Sequence, residues 1–283
     1  MIKQTFSPEE SWQKATLANR FLFYKIFTHY PDMCKKLLEL LLHIEIDKIE
    51  PPEGEKSFEI DFDSKGIRLD IYTKTDGQVF DVELQAVDTK ELPQRARYYQ
   101  SLMDIDNLQR GHTYSELPDS YVLFICMEDI FGEGLPVYAF ENTCAEDNSI
   151  KLGDGTQKIF FNVKSYAKIQ NEEERKFFEF LYGGKAQTDF TKNLDRLVTQ
   201  AKHNAQWRHQ YMTWEQEVHL KYLQGVDDGR KEGRIEGAQQ QALETAEKML
   251  KENNSPEIIA RYTGLPISRI LEQQKQLAET VSG

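Results

Sequence analysis

The stretch GIRLDIYTKTDGQVFDVELQA, residues 66–86, alternates apolar and polar side chains on both sides of Asp76-Gly77. Strict alternation marks half-buried strands, and an Asp-Gly pair between two such runs favours a two-residue hairpin turn. With those two residues as the loop, Thr75 pairs with Gln78, and the numbers of facing residues add to 153. This register sets Asp70 opposite Glu83, Arg68 opposite Gln85 and Tyr72 opposite Asp81. Counted outward from 75–78, the 70–83 pair is of the closer, non-hydrogen-bonded kind. Residues 67, 69, 71, 80, 82 and 84 give one fully apolar face, while Arg68, Asp70, Asp81, Glu83 and Gln85 share the other. Like charges directly across a sheet, with Cβ atoms ~4.5–5.5 Å apart, are destabilising. Either a divalent cation relieves Asp70 and Glu83, or the face is solvated and Arg68 neutralises one acid. Hard carboxylate oxygens suit Mg²⁺ or Mn²⁺.

Outward from the hairpin, residues 12–43 carry helical spacing, with Leu17, Phe21, Leu22, Ile26 and Phe27 before Pro31 and Leu37, Leu38, Leu41 and Leu42 after it. Strand-like runs fall at 57–62, 66–74, 78–86, 119–127, 135–141 and 157–163, and helical ones at 92–106 and 171–182. The order αβββαβ, with further β and α, predicts a mixed sheet flanked by helices.

Beyond Gly183-Gly184 the chain becomes long, polar and helix-favouring. Gly225, Gly229, Gly233 and Gly237 recur every fourth residue. They read either as a flexible linker, since each glycine costs a helix ~1 kcal/mol relative to Ala, or as a helix whose bare stripe admits a partner backbone. Ser255-Pro256 fits a helix start, Thr263-Gly264 a break, and Ile267, Ile270 and Leu271 a further helix. With a helix at 239–252 this resembles a helix-turn-helix, although Arg269 and Lys275 stand against Glu272 and Glu279, which argues for a structural or oligomerising role over DNA reading. The expected division is 1–190, a polar helical linker at 191–237, and a small helical unit at 238–283. The tail, with Trp207, Trp214 and Tyr222, is expected to make a homodimer.

Composition narrows the function. The chain of 283 residues has a net charge of −12, all of it on the first 190 residues, because 191–283 balance 13 basic against 13 acidic side chains. An acidic domain is a poor non-specific DNA binder unless its positive charge is clustered. The longest apolar run is Tyr121–Met127, far short of the ~20 residues of a membrane helix, and the start MIKQTFSPEE lacks a signal-peptide core. Three scattered cysteines give neither a disulfide framework nor a Cys-x-x-Cys site, which fits the cytoplasm. There is no His-Glu-x-x-His, Gly-x-Ser-x-Gly or phosphate-cradling loop, so any chemistry rests on carboxylates.

Asp70, followed by Glu83-Leu84-Gln85, resembles the Asp…(Asp/Glu)-x-Lys signature of the PD-(D/E)xK nuclease superfamily, with glutamine in the lysine position. The order and spacing of ATLANRFLFYKIF (15–27), GIRLDIY (66–72), VFDVELQ (79–85) and RARYYQSLMD (95–104) resemble the Rpn family of recombination-promoting nucleases and putative transposases. DDGRKEGRIEG (227–237) and IARYTGLPISRIL (259–271) are similar to that family's C-terminal region. The resemblance implies a restriction-endonuclease-like α/β core with an all-helical tail, and metal-dependent DNA hydrolysis in recombination, mobile-element movement or defence. It makes Asp70 and Glu83 ligands of Mg²⁺ or Mn²⁺, with Ca²⁺ as a further candidate, and Leu84 a ligand through its carbonyl. Gln85 then positions water, where lysine would also bring charge. Arg95, with Tyr99 one turn later, is the candidate for the missing positive charge, and Asn19 for contact with metal-bound water. A catalytically weak scaffold working through its helical tail is the competing expectation.

Overall fold

Alternation over 67–85 becomes two long strands because each places every second side chain against one of two helical layers. The computed structural model describes residues 7–58, 67–75, 77–87 and 89–281, and for 55, 58, 67, 68 and 278–281 the backbone alone. The helices α1 (Pro8–Lys14), α2 (Arg20–His29) and α3 (Pro31–Leu42) come first. The expected single run at 12–43 is therefore interrupted at 15–19 and again at Tyr30, before Pro31. There follow β1 (Glu53–Phe58), β2 (Ile67–Thr75), β3 (Gln78–Gln85), α4 (Leu92–Asn107), β4 (Asp119–Cys126), β5 (Val137–Phe140), β6 (Thr156–Asn162) and α5 (Glu172–Leu181). The strand expected at 57–62 begins earlier, at Glu53, and residues 59–62 lie outside the described residues.

These strands form one mixed sheet in the order β1-β2-β3-β4-β6-β5. β1, β2 and β3 pair antiparallel, β3, β4 and β6 run parallel, and β5 closes the edge antiparallel to β6. The β2–β3 hairpin has the anticipated register, from Thr75↔Gln78 to Ile71↔Val82. Gly77 takes φ 77°, the left-handed conformation a tight hairpin turn requires, whereas Asp76 lies outside the described residues. The ladder stops at Ile71↔Val82, so the expected backbone pairing of Asp70 with Glu83 does not occur.

Side chains from α4 (Leu92, Ala96, Tyr99, Met103) form one core with Tyr72, Val79, Val122, Phe124 and Phe160. On the opposite face Phe161 of β6 stacks on Phe178 of α5, with ring centroids 5.6 Å apart. Gly54 of β1 pairs with Ile71 and faces α2 so closely that a Cβ there would stand 3.0 Å from Thr28 Cγ2.

The chain divides into two units, up to Met212 and from Thr213. The division lies beyond the compositional shift near 190 because α6 (Asp189–His203) buries Phe190, Leu194, Leu197 and Val198 within the first unit. Trp207 and Tyr211, at the start of α7 (Ala205–Lys251), are buried there too, and Tyr211 packs on Trp12 and Phe21. Trp207 is thus unavailable for the association expected of it. The glycine ladder is helical and not a flexible linker. In the second unit α8 (Pro256–Thr263) and α9 (Ile267–Val281) flank Gly264 at φ 73°, and Ala246, Ile259 and Ile270 make a small core. Among the described residues no helix is long and apolar enough to cross a membrane.

The close approach at Gly54 has a direct consequence. Gly54→Val should destabilise the protein by about 1–3 kcal/mol, the usual cost of forcing extra methyl groups into a packed interface. Urea denaturation followed by far-UV circular dichroism measures it, and an unchanged midpoint would show that α2 yields at no cost.

Candidate active site

Where the ladder ends, side chains take over from backbone. Glu83 Oε1 accepts the Asp70 N–H at 2.8 Å, and the Leu84 N–H donates to the Asp70 carboxylate. The two acids thus clasp each other's strands instead of facing across a regular pair. Asp70 is 2 % exposed, Glu83 1 % and Asp81, one row along β3, 0 %. Three buried carboxyl groups so close together need positive charge or protons, since desolvation disfavours each ionised form.

Two arginines bring that charge. Arg20, the first residue of α2, donates from Nε to both Asp70 oxygens at 2.9 Å and from Nη2 to Oδ1 at 2.5 Å. Charge-assisted forks of this kind are the strong class of hydrogen bond. Arg95 on α4 donates to Gln85 Oε1 at 3.0 Å, to the Tyr99 hydroxyl at 2.9 Å and to Glu83 Oε2 at 3.4 Å. Its guanidinium also lies 5.3 Å from the Tyr99 ring centroid and 5.5 Å from that of Phe124. Gln85 Nε2 donates to the Val87 carbonyl.

Five residues singled out from the sequence (Asp70, Glu83, Gln85, Arg95 and Tyr99) therefore fall in one connected network. The side chain of Leu84 is buried in the sheet. Asn19 does something other than expected: its Oδ1 accepts from the Phe21 and Leu22 N–H groups and caps α2. The Arg68 side chain lies outside the described residues. Sequence reasoning missed Arg20, whose partner is fifty residues away, and the burial of Asp81. The one available signal for Asp81 was its place in the same side-chain row as Glu83.

The electrostatics follow from burial and proximity. Burial, reinforced by the negative charges of Glu83 and Asp70, pushes the Asp81 carboxyl well above the usual range. Burial and then Asp70 push Glu83 up to about 8. Burial also raises Asp70, while the Arg20 contact opposes it. Arg20 is held more basic than usual by Asp70 despite its own desolvation. Burial, with Glu83 nearby, lifts the Tyr99 hydroxyl to about 12. Three carboxyl groups against two guanidiniums leave one negative charge to be matched by a proton or another cation.

The donor set fits a hard divalent cation in its chemistry. All candidate ligands are oxygens, and both Asp81 oxygens are buried without a hydrogen-bond partner among the described residues. A ready-made cage is absent: among the described residues no three His, Cys, Asp or Glu side chains are grouped to hold a metal. The Arg20 fork also engages both Asp70 oxygens, which a cation there would take.

A family model described as a PD-(D/E)XK nuclease family transposase matches residues 17–227, which include the whole network. No curated protein and no solved structure matches.

The raised carboxyl pKa values carry a stability signature. A group whose pKa is higher folded than unfolded stabilises the fold below its unfolded value and loses that contribution as pH rises through its folded value. Metal-free protein should therefore lose stability from the ordinary Glu value of 4.5 up to about 8, the range set by Glu83. Asp81→Asn should flatten this slope, by up to about 1.4 kcal/mol per pH unit for the proton removed. Urea denaturation in EDTA across that range measures it, and identical slopes would show that Asp81 is ionised in the folded protein.

Proposed function

The chain belongs to the PD-(D/E)XK nuclease family of transposases, and from that premise we propose that it is a divalent-metal-dependent DNA endonuclease hydrolysing phosphodiester bonds. The observation that carries this reading is the buried carboxylate cluster joined to Arg95, Gln85 and Tyr99 within the matched span. Asp70 and Glu83, with the Leu84 carbonyl, would hold Mg²⁺ or Mn²⁺, with Ca²⁺ as a further possibility, and such an ion acidifies water and offsets phosphate charge. Gln85, neutral where a lysine is usual, orients the attacking water by hydrogen bonding. Arg95 supplies the positive charge that Gln85 lacks as charge builds on the phosphate, and Tyr99 holds the guanidinium in place. The setting is cytoplasmic DNA recombination, mobile-element movement or defence.

One observation favours a catalytically weak scaffold instead. Gln85 is engaged at both ends, by Arg95 and by the Val87 carbonyl, and is not free to meet water as it stands. In either reading the helical tail would pair two copies. Val218, Leu220, Tyr222, Leu223 and Ile235 of α7 are all exposed. A Cβ at Gly225, Gly229, Gly233 or Gly237 would meet nothing within 4 Å, so the stripe is open to a second helix.

Asp70→Ala and Glu83→Ala should each abolish Mn²⁺-dependent nicking of supercoiled plasmid. Arg95→Ala should lower its rate by about 10²–10³, the usual effect of removing one donor to developing charge. Wild-type cleavage by the Asp70→Ala, Glu83→Ala double variant would overturn the assignment. For the tail, light scattering should find full-length protein dimeric at micromolar concentration. Gly229→Ala with Gly233→Ala should weaken that dimer while raising intrinsic helix propensity by about 1 kcal/mol per site. A full-length monomer, or a dimer indifferent to both alanines, would refute the pairing.

A further inference from the structure

We propose, on the reading that Asp70 and Glu83 hold a divalent cation, that Arg20 is the resident counter-cation of that site: its guanidinium occupies Asp70 until the metal displaces it, and so sets the chain's affinity for divalent cations. The contact has the form such competition needs. Both Asp70 oxygens accept from Nε at 2.9 Å, and Oδ1 also accepts from Nη2. A hard divalent cation takes carboxylate oxygens at roughly 2.0–2.6 Å, so it and the guanidinium claim the same lone pairs and repel each other. Arginine keeps its proton at any working pH, so its hold on Asp70 yields to another cation and not to deprotonation.

The two partners also differ in freedom. The Asp70 side chain is 3 % exposed, fixed on β2, whereas that of Arg20 is 47 % exposed. Arg20 can swing into water without moving the core, while its backbone stays in place at the capped, buried start of α2. Arg95 is built differently. It spreads its donors over Gln85, Tyr99 and Glu83, lies over the Tyr99 and Phe124 rings, and reaches its carboxylate only at 3.4 Å. Of the two guanidiniums, Arg20 is therefore the one exchanged, and Arg95 the one retained beside the bound cation.

The test is titration of full-length, EDTA-treated protein with MnCl₂ by isothermal calorimetry, comparing wild type with Arg20→Gln, which keeps much of the side chain's bulk and removes its charge. Arg20→Gln should bind Mn²⁺ at least tenfold more tightly. It should also melt lower than wild type without metal and gain more on adding Mn²⁺, because at a given concentration a tighter ligand stabilises a fold more, by the logarithm of its affinity. Arg20→Lys, which keeps the charge but loses the fork, should fall between the two, and supplies the comparison if Arg20→Gln does not fold. Equal or weaker Mn²⁺ binding by the variants would overturn the role of Arg20 while leaving the metal reading intact. Failure of wild type and variants alike to bind Mn²⁺ would overturn the metal reading, and this proposal with it.

Discussion

Three carboxyl groups buried on two adjacent strands set the terms for everything packed around them. A single ion taken from water into a protein interior costs several kcal/mol after relaxation, more than most individual packing contacts return. For Asp70 and Glu83 the surroundings meet that cost with two guanidiniums and two backbone N–H groups, each delivered by a different element, whereas both Asp81 oxygens have no hydrogen-bond partner among the described residues. The α2 start brings Arg20, the first turn of α4 brings Arg95, and the end of the β2–β3 ladder frees the N–H groups of Asp70 and Leu84. Interrupting the ladder, an apparent defect, is what turns backbone N–H groups onto Asp70 and Glu83. The apolar stripe of α4 matters for the same reason, because packing Tyr99 on the sheet places Arg95 one turn earlier over Gln85 and Glu83.

Period-two alternation and the Asp76-Gly77 pair were sufficient to read the hairpin register, because both are local signals with a strict geometry. The same alternation placed Asp70, Asp81 and Glu83 in one row without any knowledge of the helices. Burial of that row was not legible: polar residues on one strand face ordinarily mean water, and only the α4 stripe closing over them removes it. Nor was Arg20 legible, since it stands next to a capping Asn19 and its partner is remote in sequence. The glycine ladder was undecided for a different reason: four glycines cost helix propensity, and only the helix-favouring segments on either side, continuous with it in α7, decide for a helix.

Glutamine at position 85 becomes intelligible beside Arg95. A lysine there would bring a second cation against a guanidinium that already donates to residue 85, whereas the Gln85 amide oxygen accepts that donor at 3.0 Å. In the proposed function the site's positive charge comes from α4 and not from β3, and the side-chain carbonyl oxygen of Gln85 is what lets the guanidinium pack closely there. Arg95 and Gln85 are for that reason one unit, and the chemistry of either is set by the other.

The electrostatics of the site and of the whole chain point the same way. The first 190 residues, which carry the net −12, repel a polyanion, and the buried cluster sets three carboxyl groups against two guanidiniums where a phosphodiester would have to approach. In the proposed function, a divalent cation entering this cluster removes the local repulsion, and a phosphate entering it would in turn hold the cation more tightly. Such coupling is reciprocal by thermodynamic necessity, so whatever strengthens one ligand strengthens the other by the same factor. Arg20 enters this balance on both sides: on Asp70 it opposes the cation, and released from Asp70 it is a free positive charge at the site's edge. An acidic nuclease fold can in this way keep its weak affinity for bulk DNA and still favour DNA once the site is loaded.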